Sequence, residues 1–283
     1  MKKILISGST GLIGTRIIDL IGKDFNFIPL LINEVDITNK KSVIEFINRC
    51  NFDIFLHLAA YTNVNGAEIE KDLAYKVNIE GTKNIHDAVQ SKNKKMIYIS
   101  TDYVFDGNKK ESVYMEDSKP HPSGVYATSK YLGEKIVKND SMIVRLSYPY
   151  RSEFSQKRDF VMSIRSALET GQEIRSVIDS TITPTFIDDI VYGVKYLLNN
   201  FSAEIFHLVG SDSISPYDAV KLIAKKFKLD SSLIKTTSFS SYYKEYASIR
   251  PQFSNIKSSK NNFHKMCTFE QGLDEIIKQL NWS

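Results

Sequence analysis

Three evenly spaced glycines, Gly8, Gly11 and Gly14, follow the apolar run Ile4-Leu5-Ile6-Ser7 and lead into an amphipathic stretch over residues 13–21. A buried strand must turn sharply into a helix here, and glycine lets the backbone reverse and approach another group closely. The helix that begins there aims unpaired N–H groups and the positive end of its dipole at whatever fills the turn. A pyrophosphate suits that position. The spacing G-x-x-G-x-x-G departs from the G-x-G-x-x-G dinucleotide fingerprint, but its place after the first strand supports the same reading. Residues Gly8, Thr10, Gly11, Leu12, Ile13 and Gly14 are therefore the expected phosphate cradle.

The pattern continues as strand-helix units. Short apolar runs at residues 27–31, 53–59, 96–100 and 143–146 read as strands. Residues 40–49, 74–89 and 126–137 read as helices, with Val43, Ile44, Phe46 and Ile47 on roughly one face of the first and Val77, Ile85 and Val89 inward on the second. Such alternation implies a doubly wound parallel α/β sheet of the Rossmann type. It weakens after residue 150, where Pro149, Pro184, Pro216 and Pro251 punctuate the chain. Helices are expected near 159–170 and 188–198, and a strand near 204–209. The polar, Ser- and Tyr-rich stretch 236–262 is ambiguous. The expected division is a dinucleotide-binding domain over 1–150, with 186–210 returning to it. Segments 151–185 and 211–283 would form a smaller C-terminal substrate lobe over the sheet's carboxyl edge, where ligands bind in such folds.

A dinucleotide fold usually carries an acid at the end of its second strand to hold the adenosine ribose. This strand ends in Leu30-Leu31-Ile32-Asn33, with no acid before Glu34. The absence argues against strict NAD use. Arg16 is placed to reach a 2′-phosphate or, equally, to face solvent from its helix. Asp36, beside Ile37, is a candidate for the adenine amino group.

Chemistry enters with Tyr126 and Lys130, which follow the loop His121-Pro122-Ser123-Gly124. A phenol is a weak acid near neutrality. An ammonium four residues on lies on the same helix face and favours the phenolate. Such a tyrosine can give its proton to a carbonyl oxygen as hydride reaches the carbon. The motif Y-x-x-x-K also occurs at Tyr131/Lys135 and Tyr217/Lys221. Context favours Tyr126, which lies one helix after a strand ending in the hydroxyls of Ser100 and Thr101. Tyr131 is expected to pack, and Tyr217, after Ser215-Pro216, to start a helix. Thr101 is placed to bond the same carbonyl oxygen.

Other features have structural explanations. His57, within Ile54-Phe55-Leu56-His57-Leu58, is expected to be a satisfied core histidine. Asp188 and Asp189 are expected to complement a helix dipole. Arg250 is either a diphosphate clamp or a loop arginine in an ion pair. The net charge of +4 comes from 37 basic and 33 acidic residues spread along the chain, which argues against a nucleic-acid polymer as partner. No apolar run approaches a membrane span, and Lys2-Lys3-Ile4-Leu5-Ile6 ends too early for a signal peptide. Cys50 and Cys267 fit a reducing compartment and have no metal-ligand spacing. A soluble cytoplasmic protein without metal is expected, with a homodimer left open.

At these residues the chain resembles the dTDP-4-dehydrorhamnose reductase family of extended short-chain dehydrogenases/reductases. The resemblance runs nearly end to end. It is carried by Gly8-x-x-Gly11-x-x-Gly14, Leu58-Ala59-Ala60-Tyr61-Thr62-Asn63-Val64, Val77-Asn78 with Gly81-Thr82, and Ser100-Thr101-Asp102-Tyr103-Val104-Phe105-Asp106-Gly107. Tyr126-x-x-x-Lys130 with Gly133-Glu134, Arg145-Leu146-Ser147-Tyr148, Pro184-Thr185 and Arg250-Pro251-x-x-Ser254 complete it. It implies a catalytic triad of Thr101, Tyr126 and Lys130. Leu58, Ala59, Ala60, Tyr61, Asn78 and Ser100 would join the cradle, Arg16, Asp36, Ile37, Tyr126 and Lys130 in holding NADPH, with NADH as the alternative. It implies a nucleotide-linked 4-keto-6-deoxy sugar as substrate, with Asp102, Tyr103, Val104, Tyr148 and Arg250 on the substrate side, and a product destined for surface polysaccharide.

Departures cluster in the substrate lobe. Tyr148 stands where the family has tryptophan. Asp179-Ser180-Thr181-Ile182 replaces an Asp-Gln-x-Gly segment, Asp159-Phe160 an Asn-Phe pair, and Glu245-Tyr246-Ala247-Ser248-Ile249 a Pro-Thr-Pro stretch. Two other readings follow from the same fold. One is another sugar-nucleotide enzyme of the superfamily, such as an epimerase or a reductase acting at a different sugar carbon. The other is a non-catalytic NADP-binding subunit like the regulatory subunit of methionine adenosyltransferase.

Overall fold

The structure is a computed structural model and describes residues 1–244, 246 and 248–281. Glu245 and Ala247 of the divergent segment lie outside the described residues. In chain order the first half runs β1 (Lys3–Ser7), α1 (Leu12–Ile21), β2 (Asn26–Leu30), α2 (Lys40–Arg49), β3 (Ile54–His57), α3 (Val64–Ile69), α4 (Lys71–Tyr75), a π-helical turn (Lys76–Gly81), α5 (Thr82–Ser91), β4 (Lys95–Thr101), α6 (Val125–Val137) and β5 (Met142–Leu146). The second half runs β6 (Pro149–Tyr150), α7 (Phe160–Glu169), β7 (Ile174–Val177), β8 (Thr185–Phe186), α8 (Ile187–Asn199), β9 (Ile205–His207), α9 (Pro216–Phe227), β10 (Ile234–Thr237), α10 (Phe239–Tyr242) and α11 (Phe269–Asn281).

The main sheet has the order β2-β1-β3-β4-β5-β9, and every pairing in it is parallel. This is the Rossmann-type doubly wound arrangement. Strand order reverses between β1 and β3, which opens a crevice at their carboxyl ends. Burial on both faces explains the continuous apolar runs. Alternate side chains feed two cores: Ile4, Ile6, Leu56 and Ile97 pack with Ile17 of α1 and Val194 of α8, while Leu5, Phe55 and Tyr98 pack with Val43 of α2, Ile85 of α5 and Val137 of α6.

Two small parallel sheets, β7-β10 and β6-β8, stand apart from the main one. Around them Tyr150, Val161, Phe186, Ile223, Phe269 and Leu273 form a separate core. Among the described residues no helix is long and apolar enough to cross a membrane.

One element departs from the sequence pattern. The helix expected over 74–89 is interrupted by the π turn that holds Asn78. Asn78 is 1% exposed, accepts from the Tyr61 backbone N–H at 2.8 Å and donates to Tyr61 O at 3.1 Å and Ser129 Oγ at 2.9 Å. Periodicity cannot register this, because the turn is held by partners outside the helix.

α6 is tied to β5 by a buried ion pair. Arg145 Nε and Nη2 donate to Glu134 at 2.8 and 2.7 Å, with 1% and 4% of the side chains exposed. Removing one partner strands a buried charge, at a cost of roughly 3–5 kcal/mol. Arg145→Met is therefore expected to lower the unfolding free energy by about that amount, and Arg145→Met/Glu134→Leu to recover much of it. Additive losses in urea titrations would contradict the pairing.

Candidate active site

A cleft of about 830 Å³ lies along the carboxyl edge of the main sheet. One end is lined by Leu30, Leu31, Ile32, Val35, Asp36 and Ile37, the middle by residues 8–14 and Leu58, Ala59 and Ala60, and the other end by Ser100, Thr101, Asp102, Tyr103, Tyr126, Lys130 and Tyr148. The strand ends of β1, β2, β3 and β4 thus contribute in turn.

The glycines have distinct roles. Gly8 has φ +70°, and a Cβ there would sit 2.8 Å from Ala59 N. A Cβ on Gly14 would lie 2.2 Å from Gly8 O, so α1 can pack against the turn only without one. Gly11 is different: its φ of −78° and ψ of 176° suit any residue, and a Cβ would meet only Gly8 O, at 3.3 Å. The space beside Gly11 is not required by the protein's own packing. It borders the first turn of α1, where a phosphate is favoured.

At the far end, Gly124 has φ +85° and turns the chain into α6. The Val125 N–H donates to Glu68 Oε1 at 2.7 Å, so a carboxylate from α3 caps the helix that carries Tyr126 and Lys130. Sequence reading had no signal for Glu68, because the contact spans 57 residues. Lys130 is 4% exposed. Its ammonium donates to Ile99 O at 2.8 Å and lies 4.1 Å from the centroid of the Tyr98 ring. Burial brings its pKa down to about 7, against the opposing pull of Glu134. Burial also raises the pKa of the Tyr126 phenol, with the Thr101 hydroxyl bond acting the other way. The sequence-based expectation that Lys130 sets the phenol low is therefore corrected: burial wins, and the phenol carries its proton at neutral pH.

The hydroxyls beside Tyr126 are organised around Asp102. Its carboxylate accepts from Thr101 Oγ1 at 3.2 Å, from Ser147 Oγ at 2.8 Å and from Ser254 Oγ. Burial raises this carboxyl's pKa while the three hydroxyls oppose the shift. The Tyr103 ring meets Tyr126 edge-on at 5.6 Å, and its hydroxyl lies 3.4 Å from that of Tyr148. Tyr148 has φ +40°, a left-handed backbone that costs a tyrosine about 1–3 kcal/mol. The Thr185 N–H bonds its carbonyl at 3.1 Å, and the strained turn presents the ring to the cleft. Ser100 Oγ is buried in the cleft wall without a hydrogen-bond partner.

Several expected site residues lie elsewhere. Arg16 donates from Nε and Nη2 to Asp188 at 2.6 Å each, which ties α1 to α8 and turns the guanidinium away from the cleft. Its assignment to a 2′-phosphate is corrected. Val104 is fully buried with Phe105, Val209 and Ile256 and meets no cleft space. Asn78 acts through the Tyr61 backbone, and the Tyr61 hydroxyl itself donates to Glu70. Arg250 stands behind the wall, donating to Tyr103 Oη at 3.1 Å and Asn65 Oδ1 at 3.0 Å. Asp36 lines the cleft but accepts from Thr38 N and Oγ1, both at 2.9 Å. Asp188 and Asp189 occupy the first turn of α8, and the other two Tyr/Lys pairs close on themselves as cation–π contacts at 5.2 and 5.4 Å. Sequence reading missed the loop residues Phe154, Gln156, Lys157 and Arg158, which border the cleft.

His57 has the structural role expected of it. It is 1% exposed, 2.6 Å from Ser7 Oγ and 3.3 Å from Thr82 Oγ1. Burial, with Lys130 adding to it, lowers its pKa to about 3. The unfolded chain takes up this proton below about pH 6.5 and the folded chain does not, so stability falls as pH drops from about 6.5 towards 3, by up to about 1.4 kcal/mol per pH unit. Between pH 7 and 5 the wild type is expected to lose about 2 kcal/mol more than His57→Gln. Parallel pH profiles in urea titrations would rule this out.

A family model described as the RmlD substrate binding domain matches residues 1–282. The spore coat polysaccharide biosynthesis protein SpsK of Bacillus subtilis is 31% identical over 243 residues, covering 84% of this chain and 83% of that protein. The dTDP-4-dehydrorhamnose reductase of Aggregatibacter actinomycetemcomitans is 30% identical over 229 residues, covering 77% and 76%. The crystal structure of dTDP-4-dehydrorhamnose reductase from Bacillus anthracis in complex with NADP superposes with a TM-score of 0.91 at 29% identity, covering 98% of this chain and 99% of that one.

Proposed function

The chain belongs to the RmlD substrate binding domain family, and from that premise we propose that it is an NADP(H)-dependent reductase of a nucleotide-linked 4-keto-6-deoxy sugar, serving polysaccharide precursor synthesis. The observation that carries this reading is Tyr126 gathered with Thr101 and Lys130 in one cleft with a glycine turn. The cleft's own features fit a dinucleotide. The free space at Gly11, the unpaired Ser100 hydroxyl and the exposed apolar Ile32 mark places for a phosphate, a polar contact and a base. Residues 8–14 would hold the pyrophosphate, Leu31, Ile32, Asp36 and Ile37 the adenosine, and Leu58, Ala59, Ala60 and Ser100 the remainder.

When bound, the reduced dinucleotide supplies the hydride. The chain supplies the proton. Tyr126 donates it to the sugar carbonyl oxygen, to which the Thr101 hydroxyl would turn its own proton from Asp102. Lys130, fixed by Ile99 O, holds positive charge beside the phenol as it becomes phenolate. Asp102 fixes the Thr101 hydroxyl side of the site, and Tyr103 and Tyr148 border the sugar. We assign 1–150 with 186–210 to the dinucleotide and 151–185 with 211–283 to the sugar nucleotide. The unpaired Cys50 and Cys267 support a cytoplasmic setting. The intact catalytic group speaks against a purely regulatory subunit.

Two outcomes test this reading. Gly11→Val should abolish NADPH binding, as read by titration, while the fold stays largely intact by circular dichroism, because its Cβ meets only Gly8 O and the rest of the side chain fills ligand space. Wild-type affinity in that variant would detach the cofactor from the turn. Tyr126→Phe should lower kcat on dTDP-4-dehydrorhamnose by about 10²–10⁴-fold with little change in NADPH affinity. Tyr131→Phe and Tyr217→Phe should stay near wild type. Loss in either control with retention in Tyr126→Phe would place the catalytic helix elsewhere.

A further inference from the structure

Three cations border the cleft, Lys130, Lys157 and Arg158. Lys130 is buried at the chemical end and bonded to Ile99 O. Lys157 and Arg158 are exposed, and among the described residues no carboxylate of the cleft neutralises them. Asp36 is turned to Thr38, Asp102 to its hydroxyls, and Asp159 to backbone. Asp159 Oδ2 accepts from Arg151 N at 2.9 Å and Oδ1 from Met162 N at 3.1 Å. With Arg16 held by Asp188, the exposed positive charge that borders the cleft among the described residues lies in this one loop.

The loop is hung beside the glycine turn. Its base is closed by the Arg151–Asp159 bond. Arg151 Nη1 donates to Leu12 O at 3.2 Å and to Thr15 Oγ1 at 3.0 Å, so the base is pinned to the first turn of α1. The Arg151 guanidinium also lies 5.8 Å from the Phe154 ring, fixing the loop's outgoing side. Lys157 and Arg158 are the two residues before Asp159, and two residues of chain reach at most about 7 Å. Both cations therefore belong to the loop pinned at the first turn of α1, and they line the same cleft as Gly11.

We propose that Lys157 and Arg158 clamp the diphosphate of the dinucleotide from the side opposite the glycine turn. The backbone N–H groups of the turn and the two cations would then grip one anion from two lobes. This rests on the proposed function only in requiring that the cleft take a dinucleotide. A sugar-nucleotide diphosphate offers the same chemistry, but the pinning at Leu12 and Thr15 favours the cofactor's. Both side chains are solvent-exposed, so their removal leaves the cores intact.

The test is calorimetric titration with NADP⁺, NAD⁺ and dTDP, without turnover, at two salt concentrations. In Lys157→Gln/Arg158→Gln, the Kd for NADP⁺ and NAD⁺ should rise by a similar factor, about ten-fold. The salt dependence should flatten, as fewer cations meet the phosphates. The dTDP affinity and thermal midpoint should hold, and Lys157→Arg/Arg158→Lys should keep most of the affinity. Unchanged NADP⁺ affinity, a loss confined to dTDP, or a loss for NADP⁺ with none for NAD⁺ would overturn the clamp. If the wild type binds no dinucleotide, the clamp and the proposed function fall together. If it binds and the double variant matches it, the clamp alone falls.

Discussion

The site depends on one basic group held in a dry place. The Lys130 ammonium sits inside the molecule, bonded to the Ile99 carbonyl and facing the Tyr98 ring. Burial costs a charge dearly unless polar partners replace water. Those partners come from β4, so the lysine is fixed relative to the strand whose end carries Ser100 and Thr101. Tyr126 lies one turn earlier on α6 and inherits that position. The whole of α6 must then be seated: Gly124 and Glu68 set its start, and Glu134 locks its middle to Arg145 of β5. A lysine on a loose helix would draw water and remain an ordinary surface cation.

The two ends of the cleft rest on opposite physical logics. At the glycine turn the protein removes side chains, so that backbone and the N-terminal end of a helix dipole border the cleft. At the chemical end it crowds aromatic rings and hydroxyls, so that burial keeps a phenol protonated. The loop from Arg151 to Asp159 joins them. It follows β6, bonds the first turn of α1, and returns to cap α7. The loop is thus held to the helix that follows the glycine turn.

What could be read from sequence was what neighbouring residues decide. The glycine turn, the helix over 40–49 and the Tyr126/Lys130 pair depend on spacings of a few residues, and the structure places each on the expected element. The errors share a cause too. Arg16 looked free because its partner Asp188 is 172 residues away. Val104 looked available because its neighbours Val209 and Ile256 are distant in the chain. The π turn is held by Tyr61 and Ser129, and Tyr148 takes a left-handed backbone without a glycine to announce it. Lys157 and Arg158 sit in a polar stretch with no motif, and only the closure at Asp159 brings them to the cleft.

If this cleft reduces a sugar carbonyl, the hydride must end on the carbonyl carbon. Supplying dTDP-4-dehydrorhamnose with NADPH deuterated at the transferable position of the nicotinamide, and reading the product by NMR, follows it there. One deuterium is expected at C4 of a newly formed sugar alcohol, with one NADPH oxidised per product. Sugar returned with its carbonyl intact, or product carrying the label at another carbon, would contradict it.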